Sequence, residues 1–161
     1  MINLNHFIWL ILSLLLVIGC QDNNQLNEQS EVLDTQLENE IRTQIDSFYS
    51  VYERYNTDWV DFFEDEFTNV FPDTPIRKTS KDSTKALWER IYEKYDVQLL
   101  DRGPPSFILS QDMVLTHNSF NEIFVNKENN DTIKNPGTYI VAWRRQSDDS
   151  WKIVFESVQN N

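Results

Sequence analysis

Two short rows of large apolar residues near the end of the chain limit what it can fold into. In residues 138–145, Tyr139, Val141 and Trp143 alternate onto one side, and in residues 151–158 Trp151, Ile153 and Phe155 do the same. A period of two marks a half-buried strand. Ser147-Asp148-Asp149-Ser150 between them is polar and turn-forming. Folded back as an antiparallel pair, the two rows would merge into one apolar face that other parts of the chain must cover.

The cover lies upstream. Leu37, Ile41, Ile45, Phe48, Tyr52 and Tyr55 recur every three or four residues and predict a helix with one apolar stripe. Asn56-Thr57-Asp58 breaks it and caps a short second helix over 59–64. Residues 66–71 predict a strand stopped by Pro72 and Pro75. Ser80 or Asp82 caps a third helix whose stripe is Thr84, Leu87, Trp88, Ile91 and Tyr95, with Tyr92 beside it. Beyond Asp96 the pattern is mostly strand: 107–110, a turn at Gln111-Asp112, then 113–125, a polar loop over 127–132, and the hairpin described above. Helices first and an antiparallel sheet last give an α+β layout, a curved antiparallel sheet wrapped around about three N-terminal helices.

This order of elements resembles the SnoaL-like, or nuclear transport factor 2-like, superfamily. The resemblance is carried by Gly137-Thr-Tyr-Ile-Val-Ala-Trp-Arg-Arg-Gln and Ser150-Trp-Lys-Ile-Val-Phe-Glu-Ser-Val-Gln-Asn160. Residues 48–72 add the family's first helix, short second helix and opening strand. It implies a cone-shaped domain over 37–161. It implies no single activity, because this fold carries isomerases, cyclases, dehydratases, binding domains and assembly domains. Ketosteroid isomerase-like members hold a carboxylate base just before a proline at the end of the opening strand. Here that place is Phe71, before Pro72. Their second acid lies on the strand matching 139–143, which reads Tyr-Ile-Val-Ala-Trp. The resemblance therefore implies no isomerase set.

The other end of the chain carries an address. An apolar run from Phe7 to Ile18 is too short to span a bilayer, which takes about 20 residues, and ends in Gly19 and the single cysteine, Cys20. It resembles a bacterial lipoprotein signal peptide, residues 1–19, with the lipobox Val17-Ile18-Gly19-Cys20. The resemblance implies cleavage between Gly19 and Cys20, a thioether-linked diacylglycerol on Cys20 and a third acyl chain on the new amino terminus. Two or more chains hold a protein durably on a membrane. The expected location is the bacterial cell envelope, and Gln21 after Cys20 leans it towards the outer membrane.

Residues 21–40 contain Asp22, Glu28, Glu31, Asp34, Glu38 and Glu40 and no Lys or Arg, half of the formal net charge of −12. Residues 20–36 are expected to be the lipidated cysteine and an acidic, flexible tether with an r.m.s. span of roughly 20–25 Å. Such acidity repels nucleic acid and anionic headgroups, so the membrane contact is the lipid and no nucleic-acid partner is expected.

No phosphate loop, dinucleotide glycine pattern, G-x-S-x-G or metal-ligand spacing occurs, and no metal or cofactor is expected. His117 is the one histidine outside the leader. On its strand, His117, Ser119 and Asn121 share a side with Met113, Leu115, Ile123 and Val125, an apolar face with a polar middle that suits a pocket. The alternative turns Val114, Thr116, Phe120 and Phe124 inward, through a bulge near Asn118, and sends the first set to solvent. Tyr52, Trp59, Trp88, Tyr92, Tyr139 and Trp143, with Phe48, can line a cavity or simply fill the core, the plainer of the two readings. Glu156 is expected on the outer face beside Lys152 and Arg144, in an ion pair. Ile140, Ala142 and Val154 on that face suggest a homodimer surface.

The sequence thus leads to a lipid-anchored envelope domain that binds a small apolar molecule or a protein partner, without an evident catalytic set. Two alternatives stay open: an isomerase- or dehydratase-type enzyme built around His117, Tyr52 and Tyr139, and a structural, self-associating domain.

Overall fold

The computed structural model describes residues 21–72 and 74–160, with side chains from residue 31 onward. The lipobox, Gly19 and Cys20 lie outside the described residues. Contacts divide the chain between Leu37 and Glu38.

The first helix, α1, is Gln21–Tyr52. It starts well before Leu37, so residues 21–36, expected as a flexible tether, are helical. No glycine or proline interrupts 21–52, and Thr35 Oγ1 donates to the Glu31 carbonyl at 2.8 Å inside the helix. Its residues 31–36 are exposed all round.

The unit Glu38–Asn161 holds the sheet. Within it, Ile41, Ile45, Phe48 and Tyr52 are buried as the stripe requires, while Tyr55, past the helix end, is exposed and has a φ of 54°. A 3-10 helix, Asp58–Phe62, follows. Asn56 Oδ1 accepts the Asp58 N–H at 3.0 Å and fixes the corner. Then come β1, Phe63–Val70, β2, Arg77–Ser80, and α2, Lys81–Lys94. Ser80 is the cap, its hydroxyl accepting the Ser83 N–H at 3.2 Å. The remaining strands are β3, Tyr95–Arg102, β4, Ser106–Ile108, β5, Met113–Asn126, β6, Thr132–Arg145, and β7, Trp151–Asn160.

Among the described residues, two α-helices accompany one seven-stranded sheet in the order β2-β1-β7-β6-β5-β3, with β4 on β5. The sheet is mixed, because β1 runs parallel to β7 while the other pairings are antiparallel. The curved sheet expected from the sequence is therefore antiparallel except at this one pairing. The long excursion from β1 to β7 returns the chain beside its own first strand, and a crossover of that length permits a parallel pair.

Two features of the ladder decide which side chains face inward. From Met113↔Arg144 to Val125↔Thr132, β5 and β6 pair without interruption, so β5 keeps one parity throughout. β7 does not. Trp143 pairs with Ile153, but Ala142 pairs with Phe155, leaving Val154 as an extra residue. This bulge switches the inward set of β7 from Trp151 and Ile153 to Glu156 and Val158.

Gly137 marks a tight crossing between strands. A Cβ there would lie 2.5 Å from the Gln159 carbonyl oxygen and 3.0 Å from the Phe120 ring.

Candidate functional site

A cavity of about 290 Å³ opens inside the Glu38–Asn161 unit. That is at the small end of the usual range for ligand sites, roughly 300–1,000 Å³. Helix α1 supplies Phe48, Tyr49 and Tyr52, the 3-10 helix Trp59, and α2 Trp88. The sheet supplies Leu99, Phe120, Glu122, Phe124, Asn135, Tyr139, Glu156, Val158 and Asn160, and Phe71-Pro72 close one side. The rings form a connected wall. Trp59 meets Trp88 edge to face at 5.3 Å, Tyr52 meets Trp88 at 6.0 Å, and Phe48 stacks on Tyr139 at 6.3 Å. Such pairings hold large rings in place beyond what their buried area contributes.

Two carboxylates sit in this apolar wall, each held by a tyrosine. The Tyr52 hydroxyl donates to Glu122 Oε1, and Asn135 Nδ2 donates to Glu122 Oε2 at 3.2 Å. The Tyr139 hydroxyl donates to Glu156 Oε2 at 2.8 Å. Both glutamates are buried, at 4% and 6% exposure. Loss of water disfavours their charged forms. Burial raises Glu122 above the ordinary carboxylate range, opposed by the hydrogen bonds from Tyr52 and Asn135. Burial pushes Glu156 up to about 7, opposed by Tyr139. The two phenols move the same way: burial and the adjacent carboxylate raise Tyr52 and Tyr139 well above 10. Deeper in, Asn118 Nδ2 donates to the Tyr49 hydroxyl at 3.1 Å.

Of the residues expected in a pocket, Tyr52, Trp59, Trp88 and Tyr139 line it. Tyr92 does not. Its hydroxyl accepts the Trp59 Nε1–H at 3.3 Å from behind, and it lines a separate cleft with Tyr55 and Tyr95. Trp143 is core, 1% exposed, with Nε1 donating to Thr116 Oγ1 at 3.1 Å.

His117, Ser119 and Asn121 are exposed, on the face of β5 opposite to Val114, Thr116, Asn118 and Glu122, which are buried. The inward face is thus the alternative one, reached by uninterrupted parity and not by a bulge near Asn118. Both sides of β5 carry apolar residues, so alternation alone could not choose between them. An enzyme centred on His117 loses its footing with this result. Glu122 went unseen although it shares the inward parity of Val114, Phe120 and Phe124.

Glu156 also corrects the sequence expectation. The Val154 bulge turns it from the outer face into the cavity. Arg144 pairs instead with Glu64, Nε to Oε1 at 2.8 Å, and Lys152 Nζ donates to the Asp61 carbonyl at 2.7 Å. Ala142, expected on a sticky outer surface, is itself buried, at 8% exposure.

The cavity is neither filled nor wholly apolar. Chemically it can enclose a small, largely apolar body, offer hydrogen-bond acceptors to it, and exchange a proton with it near neutral pH. Among the described residues, no group of three or more His, Cys, Asp or Glu is placed to hold a metal ion, and no helix is long and apolar enough to cross a membrane.

Neither a family model nor a curated protein matches the chain. Solved structures do. A conserved protein from Planctomyces limnophilus superposes with a TM-score of 0.66 at 12% identity, over 77% of this chain and 97% of its own. A candidate dehydratase of the NTF2-like family from Streptomyces avermitilis gives 0.64 at 12%, over 78% and 97%. A nuclear transport factor 2-like superfamily protein from Salmonella enterica gives 0.60 at 14%, over 78% and 92%. At such identities the likeness defines the fold: two helices and a curved, open mixed sheet, the NTF2-like cone.

Proposed function

We propose that this domain receives a small, largely apolar molecule in its cone and is held at the cell envelope by lipid on Cys20. The observation that carries the first part is an open cavity with an aromatic wall and two inward carboxylates, where a purely structural domain would have a filled core. The second part rests on the lipobox alone.

Native mass spectrometry of the full-length protein, taken from its own membranes in a neutral detergent, tests the binding. One small-molecule adduct per chain is expected, lost on unfolding and depleted in Trp88→Ala. A bare chain that also fails to take up apolar probes would overturn it. For the anchor, Cys20→Ala should move the protein from the membrane to the soluble fraction and remove the acyl mass from its amino-terminal peptide.

A second reading has its own support. A carboxyl group whose pKa is near neutral pH, buried in a cavity, suits general acid–base work. The domain would then be an isomerase- or dehydratase-type enzyme in which Glu156 moves the proton and Tyr139 orients it. The same fold in a candidate dehydratase adds an analogy and nothing more. Glu156→Gln separates the readings: retained binding with lost turnover supports the enzyme.

A further inference from the structure

Resting on the reading of the cone as a ligand site, we propose that its preferred ligand is an organic cation, a protonated amine on a small apolar body.

No Lys, Arg or His is among the described residues that line the cavity, yet Glu122 and Glu156 both are. Their hydrogen bonds come from Tyr52, Asn135 and Tyr139, all neutral donors. A buried carboxylate without a cationic partner is costly to ionise. A ligand ammonium supplies the missing counter-charge, and a ligand anion only adds to the cost.

The hydrogen-bond balance points the same way. The two phenols already spend their protons on the glutamates. Next to Glu156, in register on β1, Asn69 is 7% exposed and its Oδ1 has no hydrogen-bond partner. An acceptor without a partner thus stands beside the Glu156 carboxyl. An alkylammonium brings three N–H donors and no acceptor.

The wall completes the fit. Trp59, Trp88, Tyr52 and Phe48 line the space. Aromatic faces attract cations, and more strongly where water is excluded. The chain's formal net charge of −12 also draws cations towards the protein.

A cation also shifts the proton. Glu156 is about half protonated near pH 7, and an ammonium beside it favours the carboxylate. Binding therefore releases part of a proton to buffer.

The test is calorimetric titration of the full-length protein, in neutral detergent, with benzylammonium, benzyl alcohol and benzoate. Benzylammonium should bind about tenfold or more tightly than the alcohol, and benzoate should not bind. Its heat should vary with the ionisation enthalpy of the buffer, reporting proton release. In Glu156→Gln, and separately in Glu122→Gln, the ratio of cation to alcohol affinity should fall towards one. The alcohol signal also shows that each variant is folded. Equal or tighter binding of the alcohol to the unaltered protein overturns the cation preference and leaves the cone a ligand site. Failure of all three probes to bind counts against both.

Discussion

Tyr139 reaches Glu156 diagonally across the β6–β7 ladder, its hydroxyl donating to Oε2 at 2.8 Å. The direct partners are Tyr139↔Val158 and Val141↔Glu156, so the two side chains are diagonal neighbours on one face. They share that face only because Val154 is unpaired. Without the bulge, Glu156 would point to water and the cone would lose one of its two acids.

Glu156 makes stability depend on pH. Its pKa rises on folding from an ordinary 4.5 to about 7, so the folded protein binds this proton more tightly than the unfolded chain. The stabilisation is fully present below about 4.5 and is lost as pH rises through about 7, a change of about 3 kcal/mol. Glu122, also raised, adds in the same direction. Glu156→Gln should remove the larger part of this loss between about pH 4 and about pH 8. Urea unfolding of both proteins at the two pH values checks it.

Gly137→Ala should destabilise by about 1–3 kcal/mol. The obstructing Gln159 oxygen is main chain of β7 and the Phe120 ring is also within 3.0 Å, so the added methyl has little room. A lower urea midpoint with unchanged slope is the expected result.

Thr116→Val should cost about 1–3 kcal/mol, because it strips the acceptor from a buried indole N–H and leaves it unpaired. Thr116→Ser keeps the hydroxyl and should recover most of the loss. Equal stability of the valine and serine variants would show that the Trp143 hydrogen bond is worth little.

His117→Ala should leave stability within about 0.5 kcal/mol and ligand retention unaltered, since its side chain is on the exposed side of β5. Trp88→Ala, on the cavity wall, should lower retention. Native mass spectra of the two variants side by side make the comparison.

The helices, the C-terminal hairpin and four aromatic wall residues were legible in the sequence because each rests on a periodicity that runs for several turns or strand residues. Tyr52 lies on a stripe with Ile41, Ile45 and Phe48, and Tyr139 on a row with Val141 and Trp143. Glu156 was not legible for a local reason: Val154 is an ordinary strand residue, with no glycine or proline to announce a bulge. The face of β5 was not legible for a distant one. Leu115 and Ile123 on one side balance Val114 and Phe124 on the other, and what decides between them is where α1 packs. Parallel pairing of β1 with β7 also joins residues too far apart in sequence for local pattern to reveal.

The most direct measurement is a carbon-13 NMR titration of the glutamate side-chain carboxyls in the full-length protein. Two resonances should titrate above the rest, one near pH 7 that disappears in Glu156→Gln and moves higher in Tyr139→Phe, where the opposing hydrogen bond is gone. Glutamates that all titrate in the ordinary range around 4.5 would place both carboxylates in water and contradict the inward-facing pair on which the account of the site depends.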